Sequence, residues 1–276
     1  MQNPDKKAPV SVIIPCYLCM ETIDRAVSSV AHQTMLPEEL VLVEDASPDG
    51  GHTLEHLYRL RQMYEGRLDI TIVALEKNGG PGVARNAGWD IAQQPYIAFL
   101  DADDTWHPKK IKLQYHWIAS HPRIMLCGHD IILRTPESEK LTQEIEPTAI
   151  LIAPWKWLFS CHFSTISVMM SRNLPFRFAV GKYYAEDYLL WLKIALSGYE
   201  TWKLGATLAY CHKPLYGEGG LSVNMWEMEK GELDTYRRIY RSGMISIAEY
   251  IAVVLLSLAK YLRRQVICQL RRYFHG

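Results

Sequence analysis

The alternation of apolar runs and helical patterns over the first hundred residues is the feature that most constrains the fold. Residues 10–17, VSVIIPCY, form a β-branched run without apolar–polar alternation, which predicts a strand buried on both faces. Similar runs follow at residues 39–47, 69–75 and 96–100. Apolar residues recur at helical spacing between these runs. The alternation predicts an α/β fold with a mainly parallel central sheet flanked by helices.

Polar residues follow each predicted strand at its carboxyl end. They are Tyr17 beside Pro15, Asp45 beside Glu44, Asn78 beside Lys77, and Asp101 with Asp103. The carboxyl ends of parallel strands meet at one edge of the sheet, where ligands bind in open α/β folds. Taken singly, each residue is better explained as a turn or cap residue, but four strand ends in succession predict a binding site.

Three carboxylates stand within four positions in the stretch YIAFLDADDTW, residues 96–106. Asp101, Asp103 and Asp104 repel one another, so their grouping costs free energy unless a cation or a shared proton offsets it. Taken alone, the stretch resembles the D-x-D-x-T motif of haloacid-dehalogenase-like phosphatases. Asp101 would then be the nucleophile, Asp103 the acid or base, and Mg²⁺ the cation. That motif normally follows the first strand of its fold, whereas three strand–helix units precede it here.

Five motifs together resemble the family 2 glycosyltransferases with the GT-A fold. They are VSVIIPCY, VEDASPDG, NGGPGVARNAG, FLDADD and AEDYLLWLK, in that order. The resemblance implies a GT-A nucleotide-diphospho-sugar transferase domain, which we assign to residues 1–215. The glycines and the basic, apolar pattern that follow predict a flexible loop and a basic amphipathic helical tail at residues 216–276. It implies inverting transfer of a sugar from a nucleotide-diphosphate donor, commonly a UDP-sugar, to an acceptor hydroxyl. A lipid-linked or surface saccharide is the expected acceptor, in bacterial polysaccharide biosynthesis. A non-catalytic scaffold is a further alternative beside the phosphatase.

The resemblance also implies a set of nucleotide-sugar-binding residues. They are Pro15, Tyr17, Asp45, Asn78, Gly80, Arg85, Asp101, Ala102 and Asp103. Tyr17 would offer a face for stacking, and the carboxylate of Asp45 would accept a hydrogen bond from the base N–H. The glycines allow close backbone approach, and Arg85 would supply positive charge near the diphosphate.

The same resemblance implies a metal ion and a general base. Asp103 would bind Mn²⁺ or Mg²⁺, which take carboxylate and phosphate oxygens readily, and Asp101 would hold the ribose or a metal-bound water. His212 matches the place of a third metal ligand in some relatives, although a histidine in a half-buried strand is more often structural. Asp187 is the expected general base, with Glu186 as an acceptor contact; capping of a helix is the simpler explanation of both.

The charge is balanced overall but unevenly distributed. Residues 234–276 contain eight Lys or Arg and two Asp or Glu, a net charge of +6 that the rest of the chain offsets. This tail is expected to make peripheral contact with an anionic membrane surface, or to pack on the body or on a second subunit. Its longest uncharged stretch, residues 250–259, is well short of the roughly 20 residues that span a bilayer. The body has no basic face or motif typical of nucleic-acid binding.

The six cysteines indicate a reducing environment. Cys16 and Cys19 form a lone C-x-x-C without a second pair at zinc-ligand spacing, so we expect buried or partly buried free thiols. With no secretory signal recognised, we expect a cytoplasmic protein, peripheral at the inner face of the cell membrane. The glycine-rich residues 217–222 are expected to form a lid or a connector.

Overall fold

The computed structural model describes residues 7–135, 148–213 and 224–275. Nine strands of this part form one mixed sheet in the order β3-β2-β1-β4-β8-β6-β9-β5, with β7 paired to β9. The strands are β1 Ala8–Cys16, β2 Pro37–Glu44, β3 Ile70–Ala74, β4 Tyr96–Phe99, β5 Thr105–Trp106, β6 Ile124–Leu133, β7 Ala149–Leu151, β8 Met169–Ser171 and β9 Glu200–Cys211. The first four are parallel, which confirms the predicted arrangement.

The described residues also form seven α-helices, five of which pack on the sheet. They are α1 Ile23–Ala31, α2 His52–Met63, α3 Pro81–Ile91, α4 Lys110–Ser120, α5 Glu186–Leu196, α6 Met225–Arg241 and α7 Ile247–His275. Successive residues of β1 face opposite sides of the sheet. Ile14 packs in one apolar cluster with Val27 of α1, and Ile13 packs in another with Trp89 of α3. Two cores, one on each side, therefore bury β1 on both faces as predicted.

A close approach of α3 to the sheet depends on a glycine. A Cβ atom at Gly88 would lie 2.5 Å from Cγ2 of Ile13 and 3.1 Å from Cγ2 of Val43. Both distances are shorter than ordinary van der Waals contact, so a side chain here would push the helix outward. The glycine thereby sets how near α3 and the loop before it lie to the strand ends.

The apolar segment 162–172 is only partly regular. Only Met169–Ser171 is a strand, and a 3₁₀ turn occupies Thr165–Ser167. The Ser167 hydroxyl donates to the Ser164 carbonyl at 2.8 Å. Such local side-chain bonds compete with the ladder of a sheet, because they satisfy backbone groups within the segment.

The tail helices pack on the body, one of the arrangements that the sequence left open. Tyr236 of α6 is buried, and its hydroxyl lies 3.2 Å from that of Tyr188 on α5. Ser257 of α7 donates to Glu229 of α6 at 2.7 Å. No helix in the described ranges combines the length and apolarity needed to cross a membrane. The expected boundary at residue 215 and the glycine-rich residues 217–222 lie outside the described residues.

Candidate functional site

One cavity of about 1170 Å³ lies at the carboxyl edge of the parallel strands. The predicted residues that line it are Pro15, Tyr17, Asp45, Asn78, Gly80, Arg85, Asp101, Ala102, Asp103, Glu186 and Asp187. They come from four strand ends, the start of α3 and the start of α5. Parallel pairing therefore brings together residues that are up to 172 positions apart in the sequence.

Asp45 organises the loop that precedes α3. Its Oδ1 accepts a hydrogen bond from the Gly79 N–H at 2.8 Å, and its Oδ2 accepts from the Gly80 N–H at 2.9 Å and the Asn78 amide at 3.0 Å. Gly80 has a φ of 81°, a left-handed value that favours glycine. Burial raises the pKa of Asp45, against the opposing effect of the two N–H groups. Since a carboxylate oxygen has two lone pairs, Oδ1 keeps a second acceptor position.

Arg85 joins the two halves of the site. Its Nη2 lies 2.7 Å from Oδ1 of Asp101, and its Nη1 lies 2.9 Å from Oε1 of Glu186. The Arg85 side chain is only 5% exposed. Burial lowers its pKa, but the Asp101 and Glu186 carboxylates outweigh that effect and raise it. The guanidinium is thus engaged with two carboxylates that follow β4 and begin α5.

Glu186 and Asp187 stand in the first turn of α5, where the helix dipole favours negative charge. Asp187 Oδ2 accepts from the Thr165 hydroxyl at 2.9 Å, and its Oδ1 accepts from the Tyr188 N–H at 2.7 Å. Burial raises the pKa of both carboxyls. For Asp187 the Thr165 hydrogen bond acts in the opposite direction. Both carboxylates are therefore held in place at the cavity wall and partly shielded from water, and each can accept a proton.

The three aspartates after β4 have different surroundings. Asp103 Oδ2 lies 3.0 Å from the Lys213 ammonium, and its carbonyl accepts from Arg25 at 2.5 Å. Asp104 Oδ1 accepts from the His212 N–H at 3.2 Å. Burial, together with the charges of its two neighbours, raises the pKa of Asp104 to about 8. The Asp103 side chain is 35% exposed and lines the cavity, whereas Asp104 does not line it, so Asp103 is better placed to contact a ligand.

Few of these side chains are placed to bind a metal ion. Within residues 7–135, 148–213 and 224–275, no group of three or more His, Cys, Asp or Glu side chains is placed to hold one. The His212 ring bonds through Nε2 to the Thr105 hydroxyl at 2.9 Å, and His212 is absent from the cavity lining. The oxygen donors of Asp101 and Asp103 nevertheless fit Mg²⁺ or Mn²⁺, which can bind through one or two carboxylates together with substrate phosphates.

The tail helices add residues that motif reasoning missed. Met225, Met228 and Glu232 of α6 line the cavity, as do Lys260 and Arg264 of α7. Two cations four positions apart lie on one helix face, and this spacing is the signal that could have drawn attention to them. Nothing in the sequence pattern places that face beside the strand ends.

Comparison with known proteins decides the family. The model of the family described as Glycosyl transferase family 2 matches residues 11–189, more than half of the chain. The chain belongs to glycosyl transferase family 2. This membership confirms the resemblance, and it favours sugar transfer over the phosphatase as the explanation of Asp101 and Asp103.

Named relatives and solved structures agree with the family assignment. The Escherichia coli UDP-Glc:alpha-D-GlcNAc-diphosphoundecaprenol beta-1,3-glucosyltransferase WfgD is 29% identical over 67% of this family 2 chain and 69% of its own. Staphylococcus aureus TarS 1–349, in complex with UDP-GlcNAc, has a TM-score of 0.67 at 20% identity over 92% of this chain and 72% of its own. The mannosyltransferase PcManGT of Pyrobaculum calidifontis, with GDP-Man and Mn²⁺, has a TM-score of 0.68 at 19% identity over 93% and 70%. The two structures confirm the GT-A fold.

Proposed function

We propose that this protein transfers a sugar, with inversion, from a UDP-sugar to a hydroxyl of a lipid-linked or surface saccharide. The observation that carries the proposal is that two separate groups of carboxylates line the same cavity. Asp101 and Asp103 face it from a strand end, and Asp187 faces it from a helix start. In-line displacement needs its leaving group and its base on opposite sides of the reacting carbon, as two such groups allow.

The donor occupies the strand-end side of the cavity in this proposal. Tyr17 is 46% exposed there and offers a ring face to the base, and Asp45 offers its remaining acceptor position. Gly79 and Gly80 let the backbone approach the diphosphate closely. UDP in the donor is supported by the UDP-Glc in the name of the E. coli relative and by the UDP-GlcNAc complex of TarS.

Asp103, assisted by Asp101, would hold Mg²⁺ or Mn²⁺ against the diphosphate. When bound, the cation stabilises the negative charge that develops on the departing nucleotide. His212 would join this site only through its Nδ1 atom or by giving up the Nε2 bond to Thr105. Lys213 already brings one positive charge to Asp103, and the Mn²⁺ complex of PcManGT supports a cation in this fold.

Asp187 is the proposed general base. The acceptor oxygen forms its bond to the anomeric carbon as the bond from that carbon to the β-phosphate oxygen breaks, and the hydroxyl proton passes to the Asp187 carboxylate. The Thr165 hydroxyl donates to Oδ2 of that carboxylate at 2.9 Å and so fixes its orientation. Its burial raises the pKa toward the working pH, which favours proton acceptance. Glu186 is held by Arg85 and can accept a hydrogen bond from the incoming saccharide.

Peripheral contact with the inner face of the cell membrane completes the proposal. Helix α7 exposes apolar side chains at spacings of four and seven residues, on one helix face: Ile247, Ile251, Leu255 and Leu262. An apolar face on a basic helix is typical of interfacial helices. In vesicle flotation, Leu255→Lys should weaken association with anionic vesicles, whereas Met63→Lys, on an exposed site of α2, should not. Equal flotation of both variants would contradict membrane contact through α7.

The donor site is tested by calorimetric titration of the protein with UDP in the presence and absence of Mn²⁺. We expect binding that depends on Mn²⁺ and is lost in Asp103→Ala. Asp90→Ala, in which a surface aspartate paired with Arg177 is removed, is the matched control and should bind like wild type. Failure of UDP, GDP and dTDP to bind, together with cleavage of phosphate esters, would refute the proposal.

A further inference from the structure

Lys260 and Arg264 form a cationic pair on α7 that the proposed transfer chemistry does not use. They lie four residues apart, so one helix face presents both, and both line the cavity that contains Asp187. The Arg264 side chain is 40% exposed, so the pair lies where α7 meets the solvent. Two cations in the wall of this cavity are suited to bind an anionic group of a ligand.

The two cations are held in place by neighbouring elements. The Lys260 ammonium donates to the carbonyl of Phe159, and the Arg264 guanidinium lies 2.8 Å from Oε2 of Glu229. Glu229 is fully buried in α6 and also accepts from Ser257 at 2.7 Å. The pair is thus a built feature in which a buried carboxylate positions the arginine.

Lys260 differs from the other cations of the cavity wall. Arg85 is paired with Asp101 and Glu186, Lys213 with Asp103, and Arg264 with Glu229. In the part of the chain that the structure describes, Lys260 has a carbonyl partner and no carboxylate partner. Its positive charge therefore remains available to a ligand.

The pair lies on the Asp187 side of the cavity. Phe159, which holds Lys260, leads through Ser160 and Cys161 of the cavity wall to Thr165, which holds Asp187. The donor residues Pro15, Tyr17 and Asp45 belong to the strand ends instead. An anion bound by Lys260 would thus accompany the acceptor rather than the donor.

We propose that Lys260 and Arg264 bind the phosphate or diphosphate group of the acceptor. The proposal rests on the proposed transferase function and specifies its acceptor as a phosphate-linked saccharide. The acceptor hydroxyl then points toward Asp187, and the phosphate contacts the cationic pair. Charge-assisted hydrogen bonds of both cations to phosphate oxygens supply the affinity.

The test compares two acceptors that carry the same saccharide, one linked to a lipid diphosphate and one to a neutral alkyl group. For wild type we expect the charged acceptor to have a kcat/KM at least about tenfold higher. Lys260→Gln should reduce that preference about tenfold, through KM of the charged acceptor, and should leave the affinity for UDP unchanged. Glu229→Gln/Arg264→Gln should act in the same direction without leaving a buried carboxylate unpaired. Lys230→Ala, which removes an α6 lysine paired with Glu227 outside the cavity wall, is the control and should keep the wild-type preference.

Separate outcomes distinguish the sources of error. If wild type transfers to both acceptors and Lys260→Gln keeps the same preference, the phosphate site is refuted while the transferase stands. If Lys260→Gln instead loses only flotation with phosphatidylglycerol vesicles that lack acceptor, the pair binds membrane headgroups and the acceptor assignment is wrong. If wild type neither binds UDP nor transfers to either acceptor, the proposed function itself fails.

Discussion

Replacing Arg85 by Met tests the link between the donor side and the base side of the site. Arg85→Met keeps an apolar stem but removes the charge between Asp101 and Glu186. Removing one partner of a buried ion pair typically costs about 3–5 kcal/mol. Asp101 is 33% exposed and can be solvated, so most of the penalty falls on Glu186, which is 10% exposed. We therefore expect the lower end, about 3 kcal/mol, or a fall in Tm of about 6–12 °C for a chain of this size.

The stability loss in Arg85→Met should depend on pH. The pKa of Glu186 is already raised by burial, and removing Arg85 raises it further. A carboxyl whose folded pKa lies above its unfolded value of about 4.3 destabilises the protein most when ionised at high pH. The loss in Arg85→Met should thus be larger at pH 8 than at pH 5.5. Urea unfolding at both pH values measures it.

Two further variants control the Arg85 measurement. Arg59→Met removes an exposed partner of Glu55 and should cost no more than about 0.5 kcal/mol. In Arg85→Met/Glu186→Gln, the second substitution removes the unpaired carboxylate, so the double variant should be less destabilised than the sum of the single variants by about 1 kcal/mol or more. A loss in Arg85→Met no larger than in Arg59→Met, or one independent of pH, would refute the structural role of Arg85.

Three shorter predictions concern the loop before α3, the base and the helix α6. Asp45→Asn loses a carboxylate acceptor for two glycine N–H groups and should weaken UDP binding about tenfold by calorimetry; unaltered binding would contradict this. Asp187 must be ionised to accept a proton, and burial raises its pKa. We therefore expect kcat/KM to rise with pH through a midpoint above the usual aspartate pKa of about 3.9. A midpoint at or below that value would count against Asp187 as the base. A Cβ at Gly231 would lie 2.5 Å from Cβ of Tyr184, so Gly231→Ala should cost about 1–3 kcal/mol in urea unfolding, in contrast to the neighbouring Lys230→Ala.

The parallel half of the sheet was predictable because its signals are local. Each of β1 to β4 is an apolar run that ends in a polar residue, and parallel pairing alone brings those ends to one edge. Tyr17, Asp45, Asp101 and Asp103 accordingly line one cavity. The family motifs added Asp187, whose place in the first turn of α5 also follows from the apolar pattern after it.

The parts that could not be predicted depend on contacts between distant segments. The motif puts Arg85 at the start of a helix, but only the fold reveals that Glu186, 101 residues later, meets its guanidinium. Periodicity defines an apolar face on α7 without naming what it contacts, so the burial of Val253 and the approach of Lys260 to the cavity were not foreseeable. The 3₁₀ turn at Thr165–Ser167 depends on side-chain bonds that strand propensity does not represent.

Sugar transfer by wild type and Asp187→Asn is the most direct test of the central claim that this cavity performs inverting transfer with Asp187 as base. Labelled UDP-sugars are incubated with Mn²⁺ and a diphosphate-linked acceptor, and the anomeric configuration of the product is determined by NMR. We predict a product of inverted configuration from wild type, and loss of transfer with retained UDP binding in Asp187→Asn. A product of retained configuration, or undiminished transfer by Asp187→Asn, would contradict the account.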